Sequence, residues 1–272
     1  MRPTDSALLL AGGRGTRMQR PAPGARLDAE QSRVAALGVK SMVPDARGRP
    51  FLDHILTSLA DAGIRRVGLV VPPAHDAITA HLDVHPPRRT RVTPIVQHQP
   101  TGTARAVLAA SDWVGSQPFL VLNGDNLYDS TLLAELASVD GPSCAAFDAS
   151  ALVNRSNFPA ARVRAFARLV IDVDGRLLDV VEKPSDAHLA ALAPDAPVSM
   201  NLWRFDAEIF QPCRDVGASE RGEHELPDAV SLAITRGMVC RPVRTATGVL
   251  DLSARDDIAT VAARLAVMRV DP

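Results

Sequence analysis

Near its start the chain runs from an apolar stretch straight into a glycine-rich turn, Leu8-Leu9-Leu10-Ala11-Gly12-Gly13-Arg14-Gly15-Thr16-Arg17. Glycine carries no Cβ and tolerates positive φ, so such a turn lets backbone N–H groups approach an anion closely. Arg17 adds a cation to the same loop. A dinucleotide fingerprint would require glycine where Met18 stands, and a P-loop would require Gly-Lys-Ser/Thr, so the turn fits phosphate without matching either motif. A second apolar run, Phe119–Leu122, ends in Asn123-Gly124-Asp125, which sets a carboxylate at a strand end. The cations add a third signal. Of 30 Lys plus Arg, only Lys40 and Lys183 are lysine. In a chain that otherwise uses arginine, a surviving ammonium is informative, because it does not interchange with a guanidinium at a tight phosphate site.

Those residues need a frame. Ser6–Ala11, Arg66–Val71, Val92–Val96 and Pro118–Leu122 read as short buried strands bounded by turn formers. Phe51–Ala62, Ala74–His81 and Gly102–Trp113 carry apolar residues at helical spacing. Strand and helix alternating in this way imply right-handed crossovers and a parallel sheet covered on both faces. Ligands on such sheets bind beyond the carboxyl ends of the strands, where the glycine turn and Asp125 fall. Further on, Ala167–Val173 and Arg176–Val181 form a hairpin about an Asp174-Gly175 turn. Val198–Phe205 reads as a strand that carries Trp203 and Phe205 into the core, and Glu223–Thr235 and Ala254–Met268 read as helices. Residues 20–35 read as a mobile loop. The simplest division is one domain over 1–272, with a first half to about 140, a second over about 141–250 and a terminal helix over about 254–269.

Composition narrows the partners. A net charge of −1 gives no bulk attraction to nucleic acid or an anionic membrane, so any bound anion needs a local site. Apolar residues, 46% of the chain, allow a large core, yet no stretch is long and apolar enough to span a bilayer. With no signal-peptide pattern either, the expectation is a cytoplasmic protein. Cys144, Cys213 and Cys240 have neither disulfide nor metal spacing and read as buried hydrophobes. Of His75, His81, His85 and His98, the pair His81 and His85 is spaced as on a helix but meets Pro86-Pro87, which suggests a solvated helix end rather than a metal site.

The string LAGGRGTRM resembles the signature of the sugar-phosphate nucleotidyltransferases. Lys40-Ser41-Met42-Val43-Pro44 and Leu59-Ala60-Asp61-Ala62-Gly63-Ile64 continue the resemblance down the chain. It implies a Rossmann-like α/β fold with a mixed, mostly parallel sheet flanked by helices, of the nucleotide-diphospho-sugar transferase type. It also implies in-line attack of a sugar 1-phosphate on the α-phosphorus of an NTP, with Mg²⁺ as cofactor and pyrophosphate as leaving group. Ala11, Gly12, Gly13, Gly15 and Thr16 would bind the triphosphate, with Arg17, Lys40 and Lys183 in the catalytic set. Gln97-His98-Gln99-Pro100-Thr101-Gly102-Thr103 is similar to the family's base-reading segment, with Gln97 on the base edge and Gly102 and Thr103 beside it.

Asp125 would hold the metal with Asp251 of Gly248-Val249-Leu250-Asp251. Here Leu252-Ser253 follow, where relatives have a small residue and glycine, so Asp256 and Asp257 stay open as substitutes. Asn123, Gly124, Glu182, Lys183 and Asn201 would contact the acceptor, and Arg221–Ala229 would line and brace its pocket. Gln97 favours UTP or dTTP without excluding other bases. A cyclitol, choline or phosphonate acceptor, or a non-catalytic nucleotide-sugar-binding paralogue, stays open, as does a homo-oligomer.

Overall fold

The computed structural model describes residues 3–13, 15–193 and 195–272. Eleven strands form two sheets: β1 (Ser6–Leu10), β2 (Arg66–Val71), β3 (Arg91–Val96), β4 (Phe119–Asn123), β5 (Asn126–Tyr128), β6 (Ser143–Phe147), β7 (Arg168–Ile171), β8 (Leu177–Val181), β9 (Val198–Phe205), β10 (Val243–Thr245) and β11 (Val249–Asp251). The main sheet is nine-stranded and runs β10-β6-β9-β4-β1-β2-β3, with the β7–β8 hairpin joined to β9. β1 pairs in parallel with both β2 and β4, and β2 with β3. β9 enters antiparallel between β4 and β6, so the later half of the chain extends the same sheet. The fold is therefore the mixed, mostly parallel α/β sheet that the sequence implies.

Alternation along the central strands explains why the sheet is covered on both faces. Ala7 and Leu9 of β1 belong to one core cluster and Leu8 to the other; Leu120 and Leu122 of β4 oppose Phe119 and Val121 in the same way. The helices Phe51–Asp61 and Ser130–Ser138 pack on the first face, and Thr103–Ala109 and Leu226–Thr235 on the second. Trp203 and Phe205 are fully buried and stack with ring centroids 5.6 Å apart. All three cysteines are buried and free.

Three local expectations change. The 20–35 segment is half helix: Ala29–Leu37 begins where the Asp28 carboxylate accepts the Gln31 N–H at 2.8 Å and the Gln31 amide accepts the Asp28 N–H at 3.3 Å. That reciprocal cap starts a helix whose apolar pattern alone is weak, and Gly38 ends it at φ 74°. The hairpin turn lies one residue earlier than expected, closed by Gly175 N–H to Asp172 O at 3.1 Å, with Gly175 (φ 76°) in the left-handed position after it. The 102–113 helix breaks at Ala110 into Thr103–Ala109 and Ser111–Val114. Among the described residues, no helix is long and apolar enough to cross a membrane.

Candidate active site

The glycine turn leaves β1 while still attached to the sheet. Ala11 N–H bonds Val70 O and Gly124 N–H bonds Leu10 O, both at 2.8 Å, so the ends of β1, β2 and β4 share one rim. The glycines of the turn serve different ends. A Cβ on Gly12 would stand 3.0 Å from Gln97 Oε1, whereas one on Gly13 would meet nothing within 4 Å. Gly15 has φ 60°, and a Cβ there would fall 2.1 Å from Gly38 O. Only glycine lets the turn pack on the 38–42 segment. Arg14 lies outside the described residues.

Above this rim is a cleft of about 790 Å³. Its lining includes Ala11, Gly12, Gly13, Gly15 and Thr16, then Gly38–Ser41, and then Gln97, Gly102, Thr103, Asn123, Gly124 and Asp125. The structure thus gathers residues whose separation in sequence exceeds a hundred positions. Lys40 stands on a single 3₁₀ turn, Lys40–Met42, and its Nζ lies 2.6 Å from Asp125 Oδ2. Arg17 is exposed on the four-residue helix Thr16–Gln19 and is not among the lining residues.

At the base-reading segment, buried Gln97 donates from Nε2 to Gly102 O at 3.1 Å. Gly102 lines the cleft and also makes room for a loop. Its φ is 119°, and a Cβ would lie 2.3 Å from His224 O, so its missing side chain admits the backbone of the 219–225 loop. Ala104 N–H to His224 O (2.9 Å) and His224 N–H to Thr101 O (2.7 Å) lock that loop down. Thr103 Oγ1 accepts the Leu226 N–H at 2.8 Å, which caps the Leu226–Thr235 helix.

The two aspartates meet through β5 and β11. These strands pair antiparallel with Asp251 opposite Asn126, and Leu252 N–H reaches Asp125 O at 2.8 Å. Asp251 is buried; Oδ1 pairs with Arg162 Nη2, and Oδ2 accepts from Asn126 Nδ2 and Ser253 Oγ at 3.0 Å each. Burial, and then the neighbouring charge of Asp125, push the Asp251 carboxyl up to about 6 against the pull of Arg162. The buried phenol of Tyr128 is likewise pushed up, by burial first and then by the charges of Asp125 and Asp251.

Two mutually repelling carboxylates, Asp125 just before β5 and Asp251 on β11, form a hard-oxygen set of the kind Mg²⁺ accepts, which needs few protein ligands because it keeps waters and substrate phosphates. Among the described residues, no group of three His, Cys, Asp or Glu could hold a metal unaided. Of the two substitutes, Asp257 is committed to the Ser253 and Ala254 N–H groups at 3.0 and 2.7 Å, and Asp256 is exposed.

Of the residues expected at the acceptor, Asn123 and Gly124 line this cleft, whereas Glu182, Lys183 and Asn201 lie outside its lining. Glu182 and Lys183 follow β8, and Lys183 is left-handed at φ 44°. Arg221 pairs with Glu225 at 2.8 Å. Protein packed behind Glu182 raises its carboxyl first, and the Glu225 charge second; Lys183 and Arg221 pull it down. Asn201 sits mid-strand at φ 56°, within the irregularity that shifts the β6–β9 register, and accepts from Trp203 Nε1 at 3.4 Å. Non-glycine residues in this region are uncommon and gather at functional sites. The loop at 219–225 joins the two clusters, since Gly222 and Glu223 line the cleft while Arg221 and Glu225 face Glu182.

The nucleotidyl transferase family profile matches residues 6–263, nearly the whole chain. The chain belongs to that family. This nucleotidyltransferase is similar to a UTP–glucose-1-phosphate uridylyltransferase of Haloferax volcanii, 28% identical over 251 residues and covering 92% of each chain. It is 31% identical over 232 residues to a glucose-1-phosphate thymidylyltransferase of Streptomyces griseus, covering 85% of this chain but 58% of that protein. Among solved structures, a UDP-glucose pyrophosphorylase complexed with UDP-glucose superposes with a TM-score of 0.73 over 97% of this chain and 99% of that one. At 16% identity, that last likeness is one of fold.

Several residues of the nucleotidyltransferase's site carried no signal in the sequence. Arg162, Asn126 and Ser253 all touch Asp251, but the chain reveals this only once β5 and β11 pair. The histidine reading also shifts. His81 is half-buried and its Nε2 bonds the buried Asp53 carboxylate at 2.7 Å, which fastens the Asp76–Val84 helix to the Phe51–Asp61 helix.

Proposed function

We propose that this nucleotidyltransferase moves a nucleotidyl group from an NTP to a sugar 1-phosphate, giving NDP-sugar and pyrophosphate. The observation that carries the reading is the Lys40–Asp125 pair at 2.6 Å, set where the glycine turn, Gln97 and the ends of β1 and β4 face one cleft. The backbone N–H groups of the turn would hold the β- and γ-phosphates, and Lys40 the α-phosphate. Gln97 gives one of its two N–H groups to Gly102 O, and its Oε1 stands as an acceptor beside Gly12. An acceptor suits the N3–H of uracil or thymine, so UTP and dTTP are the favoured donors.

On the acceptor side, Lys183 and Arg221 would hold the sugar phosphate, with Glu182 and Asn201 toward its hydroxyls. One phosphate oxygen then attacks the α-phosphorus; a P–O bond forms as the bond to the bridging oxygen breaks, and pyrophosphate departs carrying that electron pair. Little covalent chemistry falls to the protein, which aligns two polyanions and offsets their charge. Asp125 and Asp251 would hold Mg²⁺, which when bound neutralises charge between the phosphates. The test is pyrophosphate release from a panel of NTPs and phosphorylated acceptors, with and without Mg²⁺. Release that requires UTP or dTTP, a sugar 1-phosphate and Mg²⁺ is expected; release only with cyclitol, choline or phosphonate acceptors, or none at all, overturns the reading.

A further inference from the structure

Asp251 is held through both its backbone and its carboxylate, and three of the five side-chain hydrogen bonds to it come from one segment, residues 155–162. The Asn157 side chain bonds the Asp251 backbone twice, accepting its N–H and donating to its C=O, each at 2.8 Å. Ser156 Oγ accepts the Val249 N–H at 2.9 Å. The approach is possible because Gly248 has no side chain; a Cβ there would lie 2.5 Å from Arg155 O. Arg264, from the terminal helix, braces the same stretch by donating to Arg155 O and Ser156 O at 2.8 Å each.

From this cradle, the Ala160–Arg164 helix sends Arg162 onto Asp251. The guanidinium is fixed on three sides: Nη2 meets Asp251 Oδ1, Nη1 meets Asp257 Oδ1 at 3.0 Å, and its flat face lies 5.1 Å from the buried Phe158 ring. Asn126 and Ser253 hold the other oxygen of Asp251. Both ends of the carboxylate are therefore set by protein groups. A planar fork holds its donors to two carboxylates in a fixed geometry, which the rotating donors of an ammonium do not.

We infer that Arg162 is a positioning residue for the metal centre: through its bridge between Asp251 and Asp257, it fixes the plane of the Asp251 carboxylate in the orientation that receives the divalent cation. This rests on the assignment of Asp125 and Asp251 as metal ligands. Groups that orient a ligating carboxylate typically contribute about 10–100-fold to metal affinity.

Binding of Mn²⁺ alone, followed by electron paramagnetic resonance at pH 8 on the intact protein, tests it. Arg162→Gln is expected to weaken Mn²⁺ binding at least about tenfold, and Arg162→Lys, which keeps the charge but not the bridge, by a smaller factor. If Arg162→Gln does not fold, the lysine variant carries the test alone. Mn²⁺ bound as tightly as, or more tightly than, by the wild type in the folded Arg162 variant overturns the inference, and tighter binding would make Arg162 a competitor of the cation. Asp125→Asn separates the two levels. If the wild type binds no Mn²⁺, or Asp125→Asn binds it undiminished, the metal assignment itself fails. Binding abolished by Asp125→Asn and untouched by Arg162→Gln removes only the positioning role.

Discussion

Gly15→Ala is expected to damage stability and catalysis together, by a distance that the structure supplies. Gly15 has φ 60°, a conformation that costs an alanine about 1–2 kcal/mol. The new methyl would lie 2.1 Å from Gly38 O, against about 3.4 Å for ordinary contact, so the Gly38 backbone must retreat by about 1.3 Å. Overpacking of that kind costs a further ~1–3 kcal/mol, which gives roughly 2–5 kcal/mol in total. The displaced residue is also the anchor of the lysine turn, because Lys40 N–H bonds Gly38 O at 3.1 Å. A shift of about 1 Å in a group that aligns reactants lowers turnover by roughly a hundredfold.

Urea unfolding gives the first quantity and pyrophosphate release the second. Gly13→Ala is the control for stability, since its Cβ meets nothing within 4 Å and its φ is not positive, so its cost should stay near ~0.5 kcal/mol. The reasoning is refuted if Gly15→Ala unfolds at the wild-type urea midpoint, or if it is destabilised while turning over within twofold of wild type.

Three more outcomes follow from the same geometry. Lys183→Ala should depress turnover at least about a hundredfold, equivalent to ~3 kcal/mol of barrier, and near-wild-type pyrophosphate release would remove Lys183 from the acceptor site. Asp251, raised from 3.8 to about 6 in the folded protein, binds its proton more tightly folded than unfolded, so its contribution is most favourable below about pH 4 and is lost as pH rises to about 6. Over that window, wild type should lose roughly 3 kcal/mol relative to Asp251→Asn in denaturant titrations, and parallel pH curves for the two proteins would refute the burial of a repelled carboxylate. Gly102→Ala, driving a methyl to 2.3 Å from His224 O, should push the 219–225 loop away and raise the Michaelis constants of both substrates; an effect confined to the nucleotide would show that the loop does not couple the two clusters.

Much of the frame was legible because it rests on local, periodic physics. Strands β1, β2 and β9 are announced by short apolar runs between turn formers, and a run buried on both faces has little alternative to a covered, mostly parallel sheet; Val92–Val96 gives the same signal, yet β3, at the sheet edge, is only partly buried. The glycine turn, the carboxylate at the end of β4 and the rarity of lysine marked residues 11–17, 40, 125 and 183 as candidates for phosphate chemistry, and of these the cleft gathers 11–13, 15, 16, 40 and 125. The helix at Ala29–Leu37 escaped because its signal is a cap, Asp28 with Gln31, rather than a strong apolar stripe. The close approach of His224 to Gly102 escaped for a different reason: a sequence records that a side chain is absent but not what fills the space.

Local pattern along the chain thus set the alternation of elements and the chemical types of residue placed at the strand ends. Spacing fixes which face of a strand is apolar and where a glycine permits a turn. Packing in three dimensions set which distant residues share a charge environment. Lys40 meets Asp125 across 85 positions and Arg162 meets Asp251 across 89, and no pattern along the chain encodes either pairing. Coulomb interaction and desolvation act through space over a few ångströms. They therefore come into being only when β4, β5 and β11 close on the 3₁₀ turn and on the Ala160–Arg164 helix.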